Sequence, residues 1–276
     1  MKLARIVIGL DLTNSSIQSA AWAAQSFAPE ADVVLLHCVS PLLSEAHIAD
    51  ERQRAETYLS YLVTRIGPAR CNYRVRLGDP ARGLAELAAQ EDADLIAVGA
   101  HEDHPDREPT LGSTAERLIR CSPVPVLLCA ERRSGAPRSV LLPLQAAEIR
   151  TSVAEWTEAL AARFDARVVL VHVQVPHEDD GLTTHARKDD LEVMESSMPW
   201  TDVAHDLPPD HVFVDAVLGE PADAVLAEAR RFDSDLVLLP APAETGANGA
   251  TPVDRVLRAS ACAVLVVPPL EHPPIH

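Results

Sequence analysis

Gly99-Ala100-His101-Glu102, then nine residues, then Gly112-Ser113, is the part of this sequence best suited to chemistry. The apolar run Asp94-Leu95-Ile96-Ala97-Val98 leads into it, and Thr114-Ala115-Glu116-Arg117-Leu118-Ile119-Arg120 leads out with helical spacing. Small residues and backbone amides are thereby placed where a strand end meets a helix start. Anions are attracted to such places, because the first amides of a helix lack intrahelical acceptors and the helix dipole points its positive end outward. The same loop reads His101-Glu102-Asp103-His104-Pro105-Asp106, residue types that ligate Zn²⁺, Mn²⁺ or Mg²⁺. A solvated loop is the commoner meaning of such a cluster, and no metal site is assigned to it. No catalytic constellation accompanies the loop: there is no Walker A lysine, G-x-G-x-x-G, G-x-S-x-G or H-E-x-x-H.

The elements that must hold this loop alternate along the chain. Short Val/Ile/Leu runs at 3–10, 32–39, 71–77, 94–99 and 124–129 predict strands buried on both faces, as in a parallel sheet. Helical stretches at 15–28, 45–66, 81–90 and 113–121 fall between them, and Asp79 before Pro80 reads as an N-cap with proline in the first turn.

The pattern then occurs again. Asp32-Val33-Val34-Leu35-Leu36-His37 returns as Arg167-Val168-Val169-Leu170-Val171-His172, and Leu77-Gly78-Asp79-Pro80-Ala81 as Leu218-Gly219-Glu220-Pro221-Ala222. Asp94-Leu95-Ile96 returns as Asp235-Leu236-Val237, and Glu116-Arg117-Leu118-Ile119-Arg120 as Asp254-Arg255-Val256-Leu257-Arg258. Two tandem domains, 1–131 and 138–270, are expected, joined by the polar Gly/Pro segment after Glu131. The expected fold is α/β: two doubly wound, parallel, five-stranded sheets with flanking helices. The closing runs Val124–Cys129 and Ala263–Val267 are candidates for pairing the halves as an intrachain pseudo-dimer, since an exposed apolar edge invites a partner. Whole chains are expected to form a homodimer.

Composition limits the partners. Forty-one acidic against 24 basic residues give a net charge of −17, which repels a phosphate backbone, so no nucleic-acid binding is expected. No apolar run approaches the roughly 20 residues that span a membrane, and Asp11 interrupts the first one too early for a signal peptide. Five scattered cysteines show no metal spacing and no disulfide framework, which fits a reducing cytoplasm.

Gly99-x2-Glu102-x9-Gly112-Ser113 resembles the nucleotide-binding signature G-x2-G-x9-G-[ST] of the universal stress protein family, with glutamate in place of the second glycine. Asp11, His37, the Leu77-Gly78-Asp79-Pro80 turn and Pro123-Val124-Pro125-Val126-Leu127-Leu128 follow in the family's order. The resemblance implies an adenine nucleotide alpha hydrolase-like fold binding ATP or another adenine nucleotide, with or without Mg²⁺. It implies Asp11 near the ribose or adenine, and Leu10 and Cys38 against the base. Gly99, Gly112, Ser113 and Thr114 would approach the ribose and phosphates, with His101 and Glu102 on the same loop. Glu102 adds a Cβ and a negative charge where a glycine would face phosphate; at about 4 Å and an effective dielectric near 20, a like-charge contact costs about 4 kcal/mol.

The second half keeps the scaffold and loses the motif. Gln145 stands for Asp11 and Pro240 for Gly99, the following loop is shorter, and Ala250-Thr251 replaces Gly112-Ser113. His37 and His172 occur in both halves, so they read as structural. The implied function is a cytoplasmic stress-response protein that binds an adenine nucleotide in its first domain. Two alternatives stand beside it: a tandem interaction or scaffold protein whose site was lost at Glu102, and a slow ATPase. Lacking a lysine, the loop would support weak hydrolysis at most.

Overall fold

A computed structural model describes residues 3–66, 70–100, 111–130, 135–144, 151–175, 207–242 and 251–269. His101, Glu102, the rest of the 101–106 cluster, and Gln145 and Ala250 lie outside these residues. The chain divides into two compact units, Lys2–Ala136 with Ala263–Pro268, and chiefly Pro137–Cys262.

The first unit runs β1 (Arg5–Gly9), α1 (Asn14–Trp22), β2 (Asp32–Val39), α2 (Glu45–Ile66), β3 (Cys71–Leu77), α3 (Pro80–Gln90), β4 (Leu95–Gly99), α4 (Ser113–Cys121) and β5 (Val126–Cys129). Its parallel strands lie in the order β3-β2-β1-β4-β5. Ile6, Val7 and Ile8 of β1 are buried, as a strand covered on both faces requires. Two boundaries differ from the apolar pattern. The α-helix over 15–28 gives way at Ala23–Phe27 to a π-helical turn, closed by Ala28 N–H donating to the Ala23 carbonyl at 2.9 Å. Strand β5 begins after Pro125, whose carbonyl accepts from Ile96 N–H but whose nitrogen has no proton to donate.

The second repeat supplies β6 (Ser139–Leu144), α5 (Thr151–Phe164), β7 (Arg167–Gln174), β8 (Val212–Leu218), α6 (Pro221–Arg231), β9 (Leu236–Pro240), α7 (Pro252–Ala259) and β10 (Ala263–Val267). Strands β9-β6-β7-β8 pair in parallel, the order of β4-β1-β2-β3. Strand β10 packs with the first unit, antiparallel to β5, with Leu265 opposite Leu127. Both closing runs are buried and apolar along their length, so pairing removes an exposed edge from each.

The repeated residues hold equivalent joints. Asp94 accepts from the amides of Ala4 (2.6 Å) and Arg5 (2.9 Å), and Asp235 from those of Arg138 (2.8 Å) and Ser139 (3.2 Å), anchoring the start of each first strand. Asp79 caps α3 by accepting from Arg82 N–H at 2.9 Å, and Glu220 caps α6 through Ala222 and Asp223 N–H, both at 3.1 Å. Arginines of the next helix reach those caps, Arg117 to Asp79 and Arg255 to Glu220. Gly78, before the first cap, has φ +131°, which disfavours any side chain.

Candidate functional site

Between β1 and β4 the strand order reverses, and in open α/β sheets ligands bind outside the carboxyl ends of strands at such a point. A cavity of about 400 Å³ lies there. Gly9, Leu10 and Asp11 enter it from the end of β1, Leu36, His37 and Cys38 from β2, and Val98 and Gly99 from β4. Helix α1 contributes Ser16 and its cap Thr13, α3 contributes Pro80 and Leu84, and the start of α4 contributes Gly112, Thr114 and Ala115.

Asp11 is the one Asp or Glu on this wall, and no lysine or arginine lines it among the described residues. Its Oδ1 accepts from Thr13 N–H at 2.9 Å and from the Thr13 hydroxyl at 2.7 Å. Burial raises the carboxyl pKa, but hydrogen bonds from Ser16 and Thr13 outweigh it and leave the group below the usual 3.8. Thr13 also caps α1, accepting from Ser16 N–H at 3.2 Å. The turn between Asp11 and Thr13 passes through Leu12 at φ +66°, a left-handed conformation costly for a branched side chain. Because both changes remove the half-buried leucine side chain, Leu12→Gly should be more stable than Leu12→Ala by about 0.5 kcal/mol, the relieved strain of roughly 1 kcal/mol being partly offset by glycine's extra entropy loss. A urea midpoint for Leu12→Gly below that of Leu12→Ala would contradict this.

The rest of the lining is mostly apolar. Burial pushes the Cys38 thiol up to about 11, with the Arg76 charge opposing and the Asp79 charge adding, so Cys38 presents a neutral sulfur. His37 Nδ1–H donates to the Leu10 carbonyl at 2.8 Å, fixing the strand end beside Asp11. His172 stands at the same register in the second repeat, and burial lowers its pKa against a weaker opposing contribution from the Leu144 carbonyl. The pair is thus a scaffold feature.

Ala100 N–H donates to the Cys129 carbonyl (3.1 Å), and Gly112 N–H to the Ala100 carbonyl (3.0 Å), tying together the two ends of the 101–111 segment. Gly112 is the N-cap of α4 with φ −61° and offers no side chain to the first amides. Neither Gly99 nor Gly112 is at positive φ, so conformational freedom is not why glycine stands there. Among the described residues a Cβ on Gly99 would meet only Ser19 Oγ, at 3.8 Å, so their packing does not demand glycine either. For Gly99, close approach of the backbone to a cavity ligand is the physical reason that remains.

The structure thus gathers Leu10, Asp11, Cys38, Gly99, Gly112 and Thr114 around one cavity, whereas Ser113 opens α4 without lining it. Thr13, Ser16, Leu36, Leu84 and Val98 belong to the wall although the motif did not mark them. Asp-x-Thr-x-x-Ser at 11–16 was the available signal for the first two, an acceptor followed by a helix cap. In the second repeat the equivalent helix start is closed by its own side chains. Thr251 caps α7 by accepting from Asp254 N–H at 3.1 Å, and Asp254 Oδ2 accepts from Thr251 N–H and hydroxyl, both at 2.9 Å. Pro143 and Pro240 occupy the Gly9 and Gly99 positions there.

A model of the universal stress protein family matches residues 2–130 and again residues 137–268. A universal stress protein from Archaeoglobus fulgidus DSM 4304 superposes with a TM-score of 0.72 at 19% identity, over 97% of each chain. A structure from Pseudomonas aeruginosa UCBPP-PA14 carrying the same family name superposes with a TM-score of 0.65 at 16% identity, over 96% of this chain and 94% of that one. No curated protein matches the chain at a significant level of sequence similarity. Identities this low show a shared fold, and the double match to one family model supplies the rest: the chain belongs to the universal stress protein family as a tandem, two-domain member.

Proposed function

We propose that this protein binds an adenine nucleotide in the cavity of its first domain, 1–131, and signals in a stress response by conformation or by docking a partner. Domain 138–270 serves as the unliganded half. The observation that carries the reading is the asymmetry between two copies of one scaffold: the N-cap of α4 is Gly112, which lines the cavity and has no side chain, and the N-cap of α7 is Thr251, boxed with Asp254. On this reading Asp11 accepts from ribose hydroxyls, while Leu10 and Cys38 pack on the base with Leu36, Leu84 and Val98. Gly99, Gly112, Ser113 and Thr114 attend the ribose and phosphates, and His101 and Glu102 flank them. A cytoplasmic location is in keeping with five cysteines that form no disulfide.

Segment 101–110 carries four carboxylates against one arginine, which favours AMP or ADP, or ATP with Mg²⁺ neutralising its phosphates. Glu102→Gly is accordingly expected to tighten Mg²⁺-free ATP about tenfold, or about 1.4 kcal/mol, in calorimetric titration. Unchanged affinity would remove Glu102 from the phosphate contacts. The reading as a whole is tested by titrating ATP, ADP and AMP with and without Mg²⁺ and by assaying acid-released nucleotide from purified protein. No binding heat and no released nucleotide would leave the scaffold reading in its place. ATP turnover above that of a Gly112→Ala/Ser113→Ala variant would instead support slow hydrolysis.

A further inference from the structure

Gly9 closes β1 at the base of the cavity, and its missing side chain leaves room there. A Cβ on Gly9 would stand 2.8 Å from Leu84 Cδ1, 3.2 Å from Leu84 Cδ2 and 3.0 Å from Val98 Cγ1. Carbon atoms prefer separations of about 3.5–4.0 Å, so these side chains would have to move. Leu84 and Val98 are 2% and 5% exposed, and both line the cavity. Close packing resists displacement into the core, which leaves the cavity as the free volume they can enter. The nearest atom is a methyl end of a flexible leucine, whereas Val98 Cγ1 belongs to a β-branched side chain with little freedom, so Leu84 takes most of the shift and the cavity receives it. Gly9 is not at positive φ, so its backbone does not require glycine.

The second repeat carries an independent sign of the same coupling. Strand register puts Pro143 at the Gly9 position, and counting from the Gly-acid-Pro turns puts Val225 at the Leu84 position. Where the strand residue gains ring carbons, the helix residue loses one, while the neighbouring strand has Leu239 at the Val98 position, so the compensation runs through the helix residue alone.

We propose that Gly9, acting through Leu84, is the specificity-determining residue of this cavity: it sets the depth that admits a two-ring purine base. The purine part rests on the nucleotide reading above; the depth does not.

The test compares the full chain with Gly9→Ala, Gly9→Ala/Leu84→Val and Leu84→Val. AMP and CMP binding is measured calorimetrically, and Cys38, on the same wall, is probed with methyl methanethiosulfonate and peptide mass spectrometry. Gly9→Ala should weaken AMP about tenfold and CMP less than about threefold, and should slow Cys38 modification. The double variant should recover both properties. Unchanged AMP affinity with an unchanged Cys38 rate, or no recovery in the double variant, would overturn the proposal. If the unaltered protein binds neither nucleotide, the functional reading falls and the Cys38 rates alone decide the depth. If Gly9→Ala does not fold, Leu84→Val must speed Cys38 modification, and an unchanged rate there sinks the idea.

Discussion

Asp11→Asn should weaken adenine-nucleotide binding about a hundredfold, the largest loss expected from any one lining residue. A carboxylate accepting from ribose hydroxyls makes charge-assisted hydrogen bonds worth about 1.5–3 kcal/mol, or roughly 10- to 150-fold in affinity. Asparagine keeps an oxygen for Thr13 N–H and the Thr13 hydroxyl, so the turn into α1 survives and the charge alone is tested. The pH dependence follows from the lowered pKa. A depressed carboxyl contributes stability and binding strength fully above its unfolded value near 3.8, and loses them as pH falls through the lower folded value. Affinity carried by Asp11 should therefore be flat from neutrality to about pH 5. Calorimetry of adenosine binding across that range checks both points, because the phosphate of AMP itself titrates near pH 6. Equal affinity of the two proteins, or a steep fall between pH 7 and pH 5, would assign ribose recognition to another group.

Much of this architecture is legible in the residues because parallel strands buried on both faces leave continuous apolar runs. Alignment of the chain with itself then separates scaffold from site. Asp94 and Asp235, or Asp79 and Glu220, recur because each anchors a strand start or caps a helix, and the structure finds them doing so. Asp11, Gly99 and Gly112 stand out because the other copy has lost them. The apolar wall was harder to read, since Leu36, Leu84 and Val98 have the composition and spacing of core residues. Whether such a side chain meets another or faces a cavity depends on contacts between β1 and α3, some 75 positions apart in sequence. Leu12 was hidden for a different reason: nothing in its type signals a left-handed turn, which the bonds between Asp11 and Thr13 impose. Glycine at 99 and 112 permits both close backbone approach and positive φ, and the structure removes the second reason, since neither residue is at positive φ.

The contrast between the two helix starts leads to the largest effect expected on stability. Asp254 is 4% exposed, and its carboxylate accepts both the amide and the hydroxyl of Thr251, so Asp254→Ala leaves two donors without their acceptor. Each such group costs about 1–3 kcal/mol when buried. Because Thr251 is only half-buried, water recovers part of this, and about 2–3 kcal/mol in total is expected. For a chain of this size, that is a fall in melting temperature of roughly 4–12 °C, read by calorimetry or by a lower urea midpoint. Asp254→Asn keeps one acceptor oxygen and should lose about half as much. A melting temperature unchanged in Asp254→Ala would mean that water replaces the carboxylate without cost, and that α7 is no more closed than α4. The same comparison bears on function. Both helices carry an acidic residue in the first turn, Glu116 in α4 and Asp254 in α7, but the N-cap of α7 is a threonine boxed with that carboxylate, whereas the N-cap of α4 is a glycine on the cavity wall. Added AMP should therefore raise the melting temperature of the Asp254→Ala protein by as much as it raises that of the unaltered chain, because the ligand acts at the other helix.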